Sequence, residues 1–331
     1  MGLRYDLDPT PIVGARVAVL GYGAQGHAHA LNLRDSGADV VIGLPPAARR
    51  RPDALQASFE VLPAREAVRG AAVVAMMVPD EAMAQVYGEI EPDLAPGAAL
   101  VFAHGFALHY RVIVPRADLD AVLVAPNGQG QTVRSAFVAG GGVPGAVSAF
   151  QDATGRAMDF ALAYAAGIGC GRAGVLDATV QRETEADLFC EQAVLCGGVT
   201  QLVKTGFEVL VEAGFPPELA YFGCLHELKL VVDLLHAGGL SGMHAGISNT
   251  AEFGDRRVGP LFQRLPMREA MQEILARVQS GAFARDWLQE ATAGAPTLLA
   301  ERAAEREHPI ETVGAMLRDR MRVGRSAESN P

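Results

Sequence analysis

The chain has 331 residues, half of them hydrophobic and a fifth charged, with a formal net charge of -10 at neutral pH. That length predicts two domains, and the apolar share is enough to build a substantial core in each. The acidic balance excludes a polyanion as partner, because phosphate backbones need basic surface and the basic residues are scattered apart from Arg49, Arg50 and Arg51.

The N-terminal stretch MGLRYDLDPT carries no apolar signal core, and the apolar run over residues 71–79 is far shorter than a membrane span. The expected address is therefore cytoplasmic, with neither nucleic acid nor membrane as partner. Four cysteines, Cys170, Cys190, Cys196 and Cys224, match no zinc spacing and read as reduced thiols, most simply small core residues.

In chain order, the first strong signal is VAVLGYGAQGHAHALNL. Residues 15–20 read as a buried strand, 24–35 as a helix and 38–43 as the next strand, which places Gly21, Gly23 and Gly26 at a strand-to-helix turn. Gly21 permits the tight turn, Gly23 lets the backbone approach a phosphate, and Gly26 lets helix and strand pack closely. The turn from Gly21 through Tyr22, Gly23, Ala24 and Gln25 to Gly26 is thus read as a dinucleotide pyrophosphate site at a helix N-terminus. Further apolar runs at 72–78, 98–103 and 120–125 alternate with polar or helical segments such as 80–90. Continuous apolar runs are what parallel strands covered on both faces require, so a doubly wound parallel Rossmann sheet is predicted. Ligands of such sheets bind beyond the carboxyl ends of the strands. Three of these strands lead there into Pro79-Asp80-Glu81, His104-Gly105-Phe106 and Pro126-Asn127-Gly128-Gln129-Gly130.

Past about residue 177 the texture becomes helical, over 183–213, 217–236, 267–280 and 296–322, with a disordered tail expected over 324–331. The domain boundary is placed between 182 and 183, giving a Rossmann domain over 1–182 and an all-helical domain over 183–331. Leu188, Phe189, Ala193, Val194, Leu195 and Val199 put apolar side chains on several faces, the mark of a large core or a subunit interface. Asp187 and Glu191 are four apart and share one helix face, and Glu227 lies in a second apolar helix. Burying like charges together costs several kcal/mol per ion without a cation. Oxygen ligands of this kind suit Mg²⁺, but acidic pairs at this spacing are also common on solvated helix faces.

The segments GYGAQGHAHALNLRDSG, MMVPDEAM, FAHGFALHY, ETEADLFCEQAVLCGG, LAYFGCLHELKLVVDL and ISNTAEFGD, in this order, resemble the short class of ketol-acid reductoisomerase up to about residue 260. The resemblance implies a Rossmann domain followed by a knotted helical domain, assembled as homodimers or rings of dimers. It implies an enzyme that converts 2-acetolactate-type hydroxy-keto acids by a Mg²⁺-dependent alkyl shift and then reduces the product with a nicotinamide hydride. Carried over by position, Asp187 bridges two metals, Glu191 completes one site and Glu227 serves the other. Ser248 holds the substrate, and His104 lies beside nicotinamide and substrate. Glu227 and Ser248 are expected to come from the partner chain.

This chain also departs from the pattern. VAPNGQGQTVR replaces VAPKGPGHTVR, so Asn127 stands where the family has an active-site lysine, and Gln129 and Gln131 replace proline and histidine. Gly223 replaces the first glutamate of FECLHE, and Ala186 and Cys190 replace threonine and glycine. An amide supplies neither charge nor proton, and losing a carboxylate weakens a two-metal clamp. The expectation drawn from these changes is redirected chemistry on a small hydroxy or keto acid. One form of it is cyclopropanol closure with a sulfonium leaving group, as in similar enzymes of bacterial secondary metabolism. The alternatives are a genuine ketol-acid reductoisomerase and a catalytically inactive nucleotide-binding module. For the cofactor, Gly43-Leu44-Pro45-Pro46-Ala47-Ala48 lacks the arginine and serines that hold a 2′-phosphate, which leans toward NAD(H) over NADP(H). Against that, no acidic residue ends the strand and Arg49 to Arg51 offer phosphate contacts.

Overall fold

The computed structural model describes residues 2–321, so the tail expected to be disordered lies outside the described residues. Among the described residues the strands are β1 (Leu3–Arg4), β2 (Arg16–Leu20), β3 (Asp39–Gly43), β4 (Glu60–Leu62), β5 (Val73–Met76), β6 (Ala99–Phe102), β7 (Asp120–Pro126), β8 (Gly145–Gln151) and β9 (Val175–Asp177). They form one sheet in the order β1-β9-β8-β7-β6-β5-β2-β3-β4. From β4 through β7 all neighbours are parallel, and the order reverses between β2 and β5. That reversal opens the crevice where such sheets take their ligands.

The helices between the strands are α1 (Ala24–Asp35), α2 (Arg51–Gln56), α3 (Ala64–Ala67), α4 (Asp80–Ile90), α5 (Phe106–His109), α6 (Gly130–Val138), α7 (Ala157–Gly167) and α8 (Val180–Cys190). Alternate residues of each strand feed opposite layers. Val17 and Val19 pack with Ala28 and Leu33 of α1 and with Phe160 and Tyr164 of α7. Ala18 and Leu20 pack with Met83 and Ile90 of α4 and with Leu108 of α5. Two covered faces explain why the central strands read as unbroken apolar runs.

The sheet is not wholly parallel: β8 runs antiparallel to β7, and β1 antiparallel to β9. β8 (GAVSAFQ) escapes a search for continuous apolar runs because its second half is only partly covered. β1, β4 and β9 are two or three residues long, too short to carry a period.

Contact-dense units divide the chain into Met1–Asp187 and Leu188–Pro331. This division falls within α8, so residues 183–187 group with the sheet-bearing unit. The second unit holds α9 (Gly197–Glu212), α10 (Pro217–Tyr221), α11 (Glu227–Ala245), α12 (Asn249–Phe262), α13 (Met267–Gln279), α14 (Ala282–Thr292), α15 (Pro296–Arg306) and α16 (Pro309–Arg320). The helix predicted over 217–236 continues to Ala245, with Gly239 in a non-helical, positive-φ conformation inside it. The one predicted over 296–322 breaks before Pro309, which starts a new helix at its N1 position. Buried residues of this unit centre on Val203, Phe207, Tyr221, Ile310 and Leu317.

A buried polar pair ties α1 to α7. His29 Nδ1 lies 3.0 Å from Tyr164 Oη, both fully buried. Burial lowers the His29 pKa to about 4, so the ring is neutral in the folded protein. The unfolded chain, with an ordinary value near ~6.5, binds the proton first, so stability falls as pH drops from that value toward 4 and levels off below. Between pH 7 and pH 5 His29 should remove about 2 kcal/mol. A His29→Gln variant keeps a polar partner for Tyr164 without titrating, and its denaturant-measured stability should lack that loss; parallel profiles for the two proteins would show that His29 does not titrate in this way.

Candidate active site

Backbone crowding defines the first part of the site. Gly21 closes β2 in the left-handed region at φ 98°, and a Cβ there would lie 2.5 Å from the Met77 carbonyl oxygen. A Cβ on Gly26 would lie 2.3 Å from the Gly21 carbonyl oxygen. Gly23 faces open space and caps α1 without any side-chain hydrogen bond. The turn is therefore packed on its inner side and bare on its outer side, the arrangement that lets an anion approach a helix N-terminus.

A cleft of about 600 Å³ opens beside this turn, lined by Tyr22, Gly23, Ala24, His27, Arg50, Asp53 and Arg134 among others. Tyr22 is 3% exposed and its Oη has no hydrogen-bond partner, a polar atom ready for a ligand. Arg50 donates to Asp53 at 2.8 Å, while Arg134 is held by Asn32 and Asp35 at 2.7 Å each. Burial together with the Arg134 and Arg50 cations lowers the His27 pKa, so this ring acts as a neutral hydrogen-bonding group. Two guanidinium groups, an unpartnered hydroxyl and a bare turn fit a phosphate-bearing dinucleotide.

Arg49, which the sequence directs toward the phosphate, is exposed and does not line the cleft. Its neighbour Arg50 does, whereas Arg51 turns inward to the Leu44 and Val61 carbonyls. Three consecutive arginines look alike in sequence, and only the start of α2 separates their directions. Asp53 likewise supplies the acid that the end of β3 lacks.

The loop after β7 is latched to the same turn. Gln25 Nε2 donates to the Gly128 carbonyl at 2.9 Å, and a Cβ on Gly130 would lie 2.1 Å from the Ala24 carbonyl oxygen. Asn127 donates its backbone N–H to Pro144 and leaves its side chain exposed.

A second cluster surrounds His104, which follows β6. Its Nε2 lies 3.2 Å from Asp187 Oδ2, within ion-pair range but not aligned as a hydrogen bond, and its Nδ1 lies 3.8 Å from Asp80 Oδ2. Burial pulls this imidazole toward neutrality, but Asp187, Asp80 and Glu183 outweigh it and raise its pKa above the ordinary value. Burial in turn pushes the Asp80 carboxyl up, offset in part by His104. Asp80 was legible only as part of an unusual loop; its approach to His104 comes from the adjacency of β5 and β6.

Of the three sequence-predicted metal ligands, Glu191 opens a π-helical turn, Glu191–Leu195, and Glu227 directly follows another, Phe222–His226. Such turns are frequent at functional sites. Glu191 and Glu227 are exposed, not enclosed by apolar neighbours as their sequence surroundings imply. Ser248 is also exposed, and its hydroxyl caps α12 by accepting from Ala251 at 3.2 Å. Gly223 lies in the second π turn with nothing within 4 Å of an added Cβ, so no steric necessity explains the glycine there. Among the described residues, no three His, Cys, Asp or Glu side chains converge to hold a metal ion. Asp187, facing His104, still presents hard oxygen donors that fit a Mg²⁺ completed by water and substrate.

Comparison with known proteins decides the family. The model described as acetohydroxy acid isomeroreductase, NADPH-binding domain, matches residues 11–174, and that described as ketol-acid reductoisomerase, C-terminal domain, matches residues 180–323. This chain belongs to the ketol-acid reductoisomerase family. Relatives from Psychrobacter cryohalolentis and Psychrobacter arcticus, both named ketol-acid reductoisomerase (NADP(+)), are 49% identical over 317 residues, covering 96% of this chain and 94% of each relative. A solved structure of an NADH-preferring ketol-acid reductoisomerase from an uncultured archean is 43% identical with a TM-score of 0.94, covering 97% of this chain and 100% of that one. The chain is thus an enzyme of the oxidoreductase/isomerase type, with a Rossmann sheet and a helical C-terminal region.

Proposed function

We propose that this family member is a Mg²⁺- and nicotinamide-dependent ketol-acid reductoisomerase acting on a small 2-hydroxy-3-keto acid. The observation that carries this reading is His104 set between Asp80 and the α8 residue Asp187, beyond the carboxyl ends of β5 and β6 on the sheet edge where the glycine turn follows β2. The full-length similarity to proteins named for that reaction supports it. In this reading the turn over Gly21, Tyr22, Gly23, Ala24, Gln25 and Gly26 holds the pyrophosphate, and Asp187 and Glu191 hold Mg²⁺. Glu227 and Ser248 of a second copy complete the metal and substrate contacts, and Asn127 borders the substrate. When bound, the cation polarises the ketol oxygens and the nicotinamide supplies hydride. His104 holds or releases a proton at a substrate oxygen, with its charged form favoured by the carboxylates around it.

A second reading, redirected chemistry such as displacement of an internal sulfonium to close a cyclopropanol, draws on two observations. Asn127 brings no cation to the substrate loop, and Gly223 brings no second carboxylate. A cationic substrate meets less repulsion in such a pocket.

The second unit's surface supports an assembly of several chains. Leu195, Leu202, Val209, Leu230 and Leu240 are each more than half exposed while its core is small. Large apolar side chains left in the open in this way support an interaction surface. The segment Val180–Glu212 is long and apolar enough to cross a membrane by length and composition. Because it carries Glu183, Glu185, Asp187 and Glu191, we read its uncovered face as covered by a second copy and the enzyme as a homodimer or a ring of dimers.

Three outcomes are expected. Purified protein given 2-acetolactate, Mg²⁺ and reduced nicotinamide should oxidise the cofactor, and Asp187→Asn should lower the rate on the order of 10²-fold or more; absent turnover with normal cofactor binding would favour the second reading. Arg50→Ala should weaken NADPH binding about tenfold with a smaller effect on NADH, and Asp53→Ala should favour NADPH, as calorimetric dissociation constants would report. Light scattering should give two or more chains per particle, and an active monomer would remove the interface assignment.

A further inference from the structure

The sheet-bearing unit contains a buried polar contact that neither the dinucleotide turn nor the His104 cluster uses. His109, at the end of α5, has its Nε2 sealed from solvent without a hydrogen bond of good geometry, and Glu185 Oε1 faces it at 3.4 Å. Glu185 is 8% exposed, and Gln181, one helical turn earlier, donates to the same oxygen at 2.8 Å. Burial lowers the His109 pKa against the opposing effect of Glu185.

The setting gives this contact its meaning. Phe106, Ala107 and Leu108 are buried, so α5 is a fixed base. On α8, Val180 enters the same apolar cluster as Ala107 and Leu108. One turn on, Thr184 packs so closely on α5 that a Cβ at Gly105 would lie 2.0 Å from its Oγ1. Asp187 then meets His104 at 3.2 Å. Positions 180, 184 and 187 form one stripe along the helix, with 185 beside it. A crevice of about 350 Å³, lined by His109, Arg111, Thr179 and Gln181 among others, opens where the first turn of α8 approaches α5. Val180 and Thr184 thus pin α8 to α5 along one line, and the His109–Glu185 contact adds a second point beside that line.

We propose that His109 and Glu185 are a positioning pair that fixes the rotation of α8 and so holds the Asp187 carboxylate against His104 in the orientation a divalent cation requires. Neither residue touches metal or substrate; they act through the helix. The proposal rests on the reading of Asp187 as a metal ligand. Partners hydrogen-bonded directly to a metal ligand are worth about 10–100-fold in metal affinity, so a pair acting through the helix belongs at the lower end of that range.

The test is calorimetric titration of the full-length protein with Mg²⁺, alongside titration with reduced nicotinamide dinucleotide. His109→Phe fills the same space without a donor and should weaken Mg²⁺ binding about tenfold while leaving dinucleotide affinity unchanged. Glu185→Ala should do the same and Glu185→Gln, which keeps an acceptor oxygen, should recover most of the affinity. Raised Mg²⁺ should restore turnover of His109→Phe, which a general structural defect would not allow. Wild-type Mg²⁺ affinity in both His109→Phe and Glu185→Ala overturns the pairing while leaving Asp187 as ligand. Wild-type affinity in an Asp187→Asn control removes the ligand assignment and the proposal with it.

Discussion

Close backbone approach at the end of β2 governs this molecule. At Gly21, Gly26 and Gly130 a single added carbon would fall 2.1–2.5 Å from a carbonyl oxygen. Side-chain repacking cannot relieve such contacts, because the obstructing atoms are backbone. Three segments therefore meet at fixed distances: the turn into α1, the end of β5 at Met77, and the loop after β7. Everything chemically useful in the sheet-bearing unit hangs from them. The cleft beside Tyr22 exists because α1 and α6 lie this near each other, and Asp80 reaches His104 because β5 and β6 are register neighbours.

The two units solve burial differently. The sheet spreads its apolar residues over two layers that helices cover, so the unit is internally satisfied. The helical unit leaves many large apolar side chains in the open. In the proposed assembly, a second copy would cover that apolar surface and add to the stability of the helical unit.

Much of this was legible from residue order. The strand, turn and helix over β2, Gly21–Gly26 and α1 follow from the glycine spacing between an apolar run and an Ala-rich segment, and α1 and α4 cover the 24–35 and 80–90 segments read from the sequence. The short strands were not legible, because two or three residues carry no period and pair only through partners distant in sequence. Direction was also hidden. Arg49, Arg50 and Arg51 are chemically identical, and which one enters the cleft depends on where α2 begins. For Glu191 and Glu227 the apolar neighbours implied enclosure, yet a single chain leaves both exposed. Similarity to relatives supplied the family, whereas Asn127 and Gly223 are features of this chain that similarity by itself does not interpret.

The paired π turns have a consequence for how this protein can change. Each holds one residue more than an α-helical path of the same length, so the side chains beyond it are turned by roughly one residue's arc, about 100°. Glu191 opens one of these turns and Glu227 follows the other. Loss of a single residue there would let the backbone relax into ordinary helix with its hydrogen bonding intact. All the downstream side chains would then face a new direction. In these two helices, insertion and deletion are thus a means of re-aiming an entire face, a larger step in function than any one substitution along it.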